Sequence, residues 1–461
     1  MFGRVVFGEE VLSIRTAEIV KKIEKVNVVM GSEVGIAATR PEQYDNFTDL
    51  QTEASTLELI ELTEHKNATV RSYAFWALSF DGSVDLMPIV LKHIDDNELV
   101  STQFGCSGED IKTGDFFIGI ATSTSEWQPN KLSNDQITRL NHTLISSGSD
   151  LAAKARAINN AETTDELYPR LRTLVINENN QSGLVALAKF QNEQDVELIL
   201  NNREDSEFEE GGYFYTYQAI AYFPHIKFLP LLFKNLGESL DNDHYSNEWK
   251  FLYKAIASYK STEALEMLKV PFTKVKNHDI RKYHINFIHE AIDDFRGSIY
   301  DELSWDLWQN EGRITLDTFN YFYKKNPQKT LNLTKTTLIE TGQSITDELL
   351  DRMFNIILET DNDKAVEIIK NKIEESTVSK FEFYSKKASE IRSDLFVRPL
   401  LNRLEHESNA HIYLKSVEAL ISYGREDINA EILAYRALNP NLSKGWGGEA
   451  LGKLLEEHGI E

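Results

Sequence analysis

The sequence is poor in cysteine and in positive charge, and it contains no long apolar run. Its one cysteine, Cys106, cannot form an internal disulfide, which excludes a disulfide-stapled secreted fold. The 49 lysines and arginines are outnumbered by 73 acidic residues, and the formal net charge is −24. A field of that sign repels phosphate backbones, so we expect no nucleic-acid partner.

No stretch of the chain has the composition of a membrane-spanning or secretory segment. A transmembrane helix needs about 18 or more consecutive apolar residues, and no such window occurs. Near the N-terminus, Glu9, Glu10 and Arg15 interrupt the apolar residues before they can form the core of a signal peptide. We therefore expect a cytoplasmic protein that has no membrane partner.

The stretch 57–78, LELIELTEHKNATVRSYAFWAL, predicts two short helices joined by a tight turn. The first helix has an apolar face formed by Leu57, Ile60 and Leu62. Asn67 can cap the second helix, because its side-chain oxygen can accept a hydrogen bond from a free N–H of the first turn. Apolar residues then follow at i, i+4, i+7 and i+8, the spacing of one helical face: Val70, Ala74, Ala77 and Leu78.

These residues resemble a HEAT repeat, the helical hairpin of armadillo-type α-solenoids. The family pattern has an apolar helix, a turn with aspartate, then Val-Arg, a small residue and Ala-Leu. The matching residues here are Val70, Arg71, Ala74, Ala77 and Leu78. Asn67 stands where the family has aspartate, which keeps a cap and loses a charge. The stretch 31–78 is also similar to uncharacterised bacterial HEAT-repeat proteins, a resemblance that implies a fold and no known active site.

A second copy of the pattern lies at 399–420, PLLNRLEHESNAHIYLKSVEAL. At a fixed offset from the first copy, Leu401 and Leu404 match the first helix, and Tyr413 replaces Arg71. The remaining matched positions are Asn409, Ile412, Ser416, Ala419 and Leu420. Because the two copies are far apart, we expect one architecture along the whole chain: an all-α, right-handed α-solenoid of stacked antiparallel helix pairs.

Four segments are predicted on this basis. Residues 1–50 form an N-terminal helix and an irregular cap; residues 51–202 form HEAT-like repeats with a partly ordered insertion at about 104–135, where glycines interrupt the pattern; residues 213–345 form divergent, aromatic-rich helical pairs; and residues 346–461 form C-terminal repeats and a cap. The glycines of GWGG, at 445–448, indicate a helix stop before the last helix.

Two further segments have both a structural and a binding interpretation. Tyr213, Phe214 and Tyr217 can line a concave groove, since aromatic residues dominate binding hot spots; we favour the alternative, that they fill the space between helices. The acidic stretch 204–210 can attract a basic partner, and the alternative, a solvated loop, is again favoured.

The catalytic and metal-binding patterns in this sequence are incomplete. His278, His284 and His289 occur on one predicted helix, yet their spacing does not provide the two histidines four apart that a zincin motif needs. We interpret them as surface or core histidines. Cys106 lies in a glycine-rich stretch with no histidine nearby in sequence, which disfavours a nucleophile. We expect no cofactor and no metal.

The favoured function is a non-catalytic scaffold that binds a protein or peptide, since solenoids present extended concave surfaces. A second hypothesis is an acidic inhibitor or immunity-type protein that neutralises a basic partner. A third is an enzyme on a HEAT-like scaffold with its site in 213–345, where the His278–His289 helix lies. The sequence does not predict the oligomeric state or the identity of the partner.

Overall fold

The computed structural model of this chain describes residues 4–7, 10–125, 128–202, 212–340 and 345–460. Within these residues the chain forms 26 α-helices and five short β-strands, so the fold is mostly helical. The chain divides into two compact units. Unit 1 consists of Met1–Asn242 and Ser246–Tyr259, and unit 2 of Asp243–Tyr245 and Lys260–Glu461. The division lies inside segment 213–345.

The strands all belong to unit 1, and the all-α prediction did not include them. They are β1 (Arg4–Phe7), β2 (Glu10–Ser13), β3 (Val29–Val34), β4 (Leu99–Gly105) and β5 (Ser107–Lys112). β1 and β2 pair antiparallel. The other three form a sheet in the order β3-β4-β5, in which β3 is parallel and β5 antiparallel to β4.

Two segments for which irregular structure is predicted contain regular elements. The irregular cap predicted within 1–50 contains β3, and the partly ordered insertion at 104–135 contains most of the β4–β5 hairpin and a helix. The parallel pairing of β3 with β4 joins segments far apart in sequence, and no local pattern indicates it. Of the glycines that interrupt the helical pattern, Gly105 and Gly108 lie in the hairpin, where Gly105 takes a φ of 57° at the turn, and Gly114 lies in the helix that follows.

Unit 1 contains fourteen helices in its described part. They are α1 (Ile14–Val26), α2 (Glu42–Glu53), α3 (Thr56–Leu62), α4 (Ala68–Leu78), α5 (Leu86–Lys92), α6 (Thr113–Ala121), α7 (Asn134–Ser146), α8 (Ala152–Asn159), α9 (Tyr168–Glu178), α10 (Gln181–Ala188), α11 (Val196–Asn201), α12 (Phe214–Tyr222), α13 (Leu229–Leu240) and α14 (Glu248–Ala257).

Unit 2 contains twelve helices in its described part. They are α15 (Thr262–Lys274), α16 (His278–Asp294), α17 (Asp301–Glu311), α18 (Leu316–Lys325), α19 (Pro327–Glu340), α20 (Asp347–Thr360), α21 (Asn362–Glu375), α22 (Val378–Ile391), α23 (Val397–His406), α24 (Ala410–Ile421), α25 (Glu426–Leu438) and α26 (Gly445–Glu457).

Helices two apart in sequence are neighbours through much of each unit. In unit 1 each member of the series α2, α4, α6, α8, α10, α12 and α14 contacts the next member. In unit 2 the same relation joins α18 with α20, α21 with α23, α22 with α24, α23 with α25, and α24 with α26. Within these series, each helix therefore packs beside the helix that lies two positions before it in the chain.

The helical pair predicted at 57–78 is present as α3 and α4. The cap at Asn67 is formed, since its side-chain oxygen accepts a hydrogen bond from the N–H of Val70. The apolar positions predicted on α4 are all buried: Val70, Ala74, Ala77 and Leu78. The apolar face assigned to α3 is partly wrong. Leu57 is 79% exposed, whereas Leu59 and Leu62 are buried.

The reason for this difference lies in how α3 begins. Ser55 and Glu58 form a capping box, which places Leu57 in the first turn. The residues that face α4 are then Leu59 and Leu62, three apart on one side of the helix. Ile60 remains 38% exposed.

The second copy at 399–420 is likewise a pair of packed helices, α23 and α24. The side chain of Asn409 caps α24 by accepting a hydrogen bond from the N–H of His411. The other matched positions are buried: Leu401, Leu404, Ile412, Ser416, Ala419 and Leu420. The assignment of these positions to a HEAT repeat stays a prediction.

The glycines of GWGG lie inside a helix, and the predicted helix stop there is wrong. α26 begins at Gly445. A Cβ at Gly447 would lie 2.6 Å from the Cβ of Ala410, and one at Gly448 would lie 2.9 Å from the Cα of Ser443. These glycines therefore permit a close approach of α26 to α24 and to its own preceding turn.

Candidate functional site

Unit 1 contains an open cleft of about 960 Å³. One side is formed by β5, the opposite side by α8 and the loop before it, and the remainder by α6 and the end of α9. The turn of the β4–β5 hairpin consists of Gly105 and Cys106. The N-terminus of α8, which lines the cleft, has no capping side chain of its own.

α8 obtains its cap from a residue far away in sequence. The carboxylate of Asp115 in α6 accepts hydrogen bonds from the N–H groups of Ala152 and Ala153, at 2.9 and 2.7 Å. It also lies 3.8 Å from the guanidinium of Arg156. The free N–H groups and the positive end of the helix dipole are thereby satisfied by a carboxylate. Asp115 thus joins the N-terminus of α8 to α6 beside the cleft.

Lys112, the last residue of β5, bridges the cleft to the loop before α8. Its Nζ donates hydrogen bonds to the carboxylate of Asp150 at 2.7 Å and to the backbone oxygen of the same residue. The hydrogen bond from Lys112 lowers the pKa of the Asp150 carboxyl. This pair fixes the end of β5 and leaves the middle of the strand beside an open space.

Lys154 is the buried charge of the cleft. Its side chain is 8% exposed, and Nζ donates a hydrogen bond to the backbone oxygen of Ser147 at 3.0 Å. The carboxylate of Glu178 lies 3.6 Å from the same Nζ and 2.7 Å from Arg170. Each cation that lines the cleft therefore has a carboxylate partner within the cleft.

Two carboxylates on β5 have no such cation. Glu109 and Asp110 line the cleft, both are exposed, and neither forms an ion pair with any described residue. Asp110 accepts a hydrogen bond from the hydroxyl of Ser101 at 2.5 Å. The cleft consequently carries an excess of negative charge, located along β5.

The cleft could not be predicted from sequence patterns, because its parts are distant in sequence. No sequence pattern near Asp115 indicates that it caps α8. The negative charges of β5 lie in a segment whose prediction is an insertion. The sequence carries a signal for the hairpin alone: the β-branched residues Val100 and Thr102 favour a strand, and Gly105 favours a turn after it.

Arg71, the arginine of the HEAT resemblance, lies outside the cleft and is 7% exposed. Its guanidinium contacts both carboxylate oxygens of Asp96 at 3.0 and 3.1 Å, a carboxylate oxygen of Glu98 at 2.8 Å and the backbone oxygen of His65 at 2.8 Å. The ring of His93 lies 3.2 Å from Asp96. This network joins α4 to the segment that leads into β4.

The histidines predicted on one helix lie in different environments. His278 is exposed at the start of α16, whereas His284 is fully buried. Burial lowers the pKa of His284 to about 4, and burial also lowers the pKa of His289. Among the described residues, no group of three or more His, Cys, Asp or Glu side chains is arranged to hold a metal ion.

The remaining candidates separate into buried, exposed and undescribed residues. Tyr217 is buried, and its hydroxyl accepts a hydrogen bond from the amide of Asn235 at 2.6 Å, as expected of a residue that fills the space between helices. Phe214 packs edge-on against Phe251. Cys106 is exposed at the tip of the hairpin. The acidic stretch 204–210 lies outside the described residues.

Comparisons with known proteins add no assignment to this geometry. No family model, curated protein or solved structure significantly matches this chain. The resemblance to HEAT repeats therefore rests on the residues quoted above and stays a prediction. Across the described residues, helices that combine the length and the apolarity needed to cross a membrane are absent.

Proposed function

We propose that this protein is a helical-repeat scaffold of the HEAT-like α-solenoid type, which binds a protein or peptide partner in the cleft of unit 1. The observation that carries the proposal is the cleft itself, an open space of about 960 Å³ between a sheet edge and a helix. A space of this size and shape can hold several residues of another chain, and peptide grooves of this kind recur in binding modules.

The contacts between alternate helices support the solenoid part of the proposal. When helical hairpins stack in a line, the first helices of successive hairpins become neighbours, and so do the second helices. The series α2 to α14 in unit 1 and the pairs α22–α24 and α24–α26 in unit 2 follow this relation. The β3-β4-β5 sheet is then an addition to the stack, on the side where the cleft lies.

The test places a large side chain in the cleft without disturbing the fold. Gly119 lies on α6, lines the cleft, is exposed, and has no atom within 4 Å of the position of a Cβ. Replacing glycine by a better helix former in an exposed helix gains about 1 kcal/mol of stability. Gly119→Arg should therefore fold normally and fill part of the cleft.

Gly237→Arg provides the matched control. Gly237 is an exposed glycine on α13, outside the cleft, and no atom lies within 4 Å of the position of a Cβ. The arginine at this position adds the same charge as Gly119→Arg. We expect wild-type protein and Gly237→Arg to capture the same partner from native lysate at low salt, and Gly119→Arg to lose it by at least about tenfold in quantitative mass spectrometry. Equal capture by all three proteins, or no specific partner of the wild type, contradicts the proposal.

A second candidate, an acidic inhibitor that neutralises a basic partner, is favoured by the charge of −24 and by the uncompensated carboxylates of β5. Affinity in that case depends steeply on ionic strength, because exposed charges are screened beyond about 8 Å at 0.15 M salt. Measuring the dissociation constant of the captured partner from low to high salt tests this candidate: a change of less than about twofold excludes the inhibitor.

A further inference from the structure

We infer that the cleft takes an extended, basic segment of a partner protein, which adds as a fourth strand along the free edge of β5. The inference rests on the proposed binding function and deepens it, since it names the chemistry of the partner and the atoms that bind it. It is carried by the geometry of β5, by the lining of the cleft and by the location of its negative charge.

β5 is an edge strand of the sheet, because β4 is its one neighbour among the described strands. The hairpin loop has two residues, so the flanking pair Phe104 and Ser107 is hydrogen-bonded and the pairs alternate from there. The N–H and C=O groups of Gly108, Asp110 and Lys112 consequently point away from β4. Unpaired backbone groups in a row are what an incoming strand binds.

The outward backbone groups face the cleft. Side chains alternate between the two faces of a strand, so a cavity above one face contacts every second residue. Here four consecutive residues line the cleft: Glu109, Asp110, Ile111 and Lys112. Such a run is expected when the strand borders the cleft with its edge. No backbone hydrogen bond from Gly108, Asp110 or Lys112 to another described element occupies that edge.

The charge along the edge determines which segment fits. Glu109 and Asp110 point to opposite faces of the sheet and have no cationic partner among the described residues. Directly opposed residues of unlike charge stabilise a strand pair, and like charges destabilise it. A segment with two adjacent basic residues places one opposite each carboxylate. The net charge of −24 additionally steers basic segments toward the protein.

The same charges disfavour a second copy of this chain as the occupant. Pairing of one β5 with the β5 of a second molecule around Asp110 brings the carboxylates of the two copies together, and Lys112, the cation of β5, already pairs with Asp150 of its own chain. Exposed acidic residues on an edge strand commonly protect it from self-association in this way. The favoured occupant is therefore a different, basic chain.

The test uses full-length protein and a labelled hexapeptide, Thr-Val-Lys-Arg-Val-Thr, with dissociation constants measured by fluorescence anisotropy at low salt. A second peptide has the same side chains but carries an N-methyl group on every residue, which removes the donors of both edges and keeps the charge. We expect the first peptide to bind and the methylated peptide to bind at least about tenfold more weakly.

Substitutions at Asp110 separate hydrogen bonding from charge on the side of the protein. Asp110→Ala removes the carboxylate and keeps the N–H, whereas Asp110→Pro removes both. Because this N–H points outward, proline is compatible with the edge strand. We expect Asp110→Pro to bind the peptide about tenfold more weakly than Asp110→Ala. Equal affinities for the two variants overturn strand addition.

Amide hydrogen exchange in the wild-type protein gives a readout that needs no substitution. Peptide binding should slow exchange at Gly108, Asp110 and Lys112, and leave Glu109 and Ile111, which are already bonded to β4, unchanged. Absence of binding, equal binding of the methylated peptide, or uniform protection along β5 contradicts the inference. Loss of the captured partner in Gly119→Arg with no effect of Asp110→Pro overturns strand addition alone and leaves the binding function in place.

Discussion

At the scale of the residue, Arg71 shows how a motif position becomes a buried ion network. Its guanidinium forms two hydrogen bonds to Asp96, one to Glu98 and one to a backbone oxygen, in a site where its own side chain is 8% exposed. A planar guanidinium can donate two parallel hydrogen bonds to one carboxylate, and a lysine ammonium cannot. The arginine of the HEAT resemblance therefore has a structural explanation here, independent of any repeat family.

Replacement of Arg71 by methionine should destabilise unit 1 by about 3 kcal/mol, because the largely buried carboxylate of Asp96 loses its guanidinium partner and keeps only the ring of His93 and the N–H of Glu98. The measurement is the free energy of unfolding in urea. Arg40→Met is the control: Arg40 is 51% exposed and pairs with Asp45, so its loss should cost less than about 1 kcal/mol. Equal losses for the two variants contradict a special contribution of the buried network.

His284 gives a prediction about pH. It is fully buried in α16, and burial lowers its pKa from 6.5 to about 4. Between these values the unfolded chain binds a proton that the folded chain does not, so the free energy of unfolding rises with pH through this window. The contribution of His284 to the free energy of unfolding should be fully present above pH 6.5. The free energy of unfolding should fall by about 3 kcal/mol as the pH drops to 4.

The variant His284→Gln removes this titration. Urea unfolding of unit 2 in steps from pH 7 to pH 4 should show a smaller decrease in the variant than in the wild type. His278→Gln, at an exposed position on the same helix, should leave the wild-type profile unchanged. Identical profiles of His284→Gln and the wild type show that another group controls the acid sensitivity.

At the scale of the element, α26 illustrates a helix whose position depends on a missing side chain. A Cβ at Gly447 would lie 2.6 Å from the Cβ of Ala410 on α24, closer than side-chain atoms approach each other. Gly447→Ala should therefore destabilise the C-terminal unit by about 1–3 kcal/mol, in spite of its better helix propensity. Thermal unfolding measures the effect.

The control lies on the same helix. At Gly452 the nearest atom to a Cβ is the terminal Nη2 of Arg436 at 3.3 Å, which belongs to a flexible side chain. Gly452→Ala should raise stability by up to about 1 kcal/mol. If both alanines stabilise the protein, α26 is not held against α24 by the glycine.

The elements that the sequence predicts best are those with local determinants. Asn67 and Asn409 cap helices whose buried faces follow from the helical period, and both helices form where the pattern places them. The first turn of α3 is less predictable, since the capping box at Ser55 decides which leucines face inward. The spacing of the apolar residues alone does not predict which leucines of α3 are buried.

The cleft could not be predicted, because contacts between distant segments create it. Asp115 caps a helix that begins at Ala152, and β3 pairs with β4 across four intervening helices. Propensity and periodicity describe a window of a few residues and carry no information on which distant segment will be the partner. The sequence therefore predicts the helical pairs and misses the sheet and the cleft beside it.

At the scale of the whole molecule, the charge of −24 is distributed over two units that each have their own interior. Like charges destabilise a compact chain by mutual repulsion and keep separate molecules apart. A protein with this balance gains solubility and favours basic partners over acidic ones. The hydrophobic interiors of the helical series supply the opposing stabilisation.

The parallel pairing of β3 with β4 also has a consequence for the order of folding. The β4–β5 hairpin closes a two-residue loop and can form early, whereas β3 can join only after the chain through α2 to α5 has closed a much longer one. During that interval β4 exposes the edge that β3 later covers. A newly made chain thus has two open edges, and completion of the sheet leaves one of them, on β5.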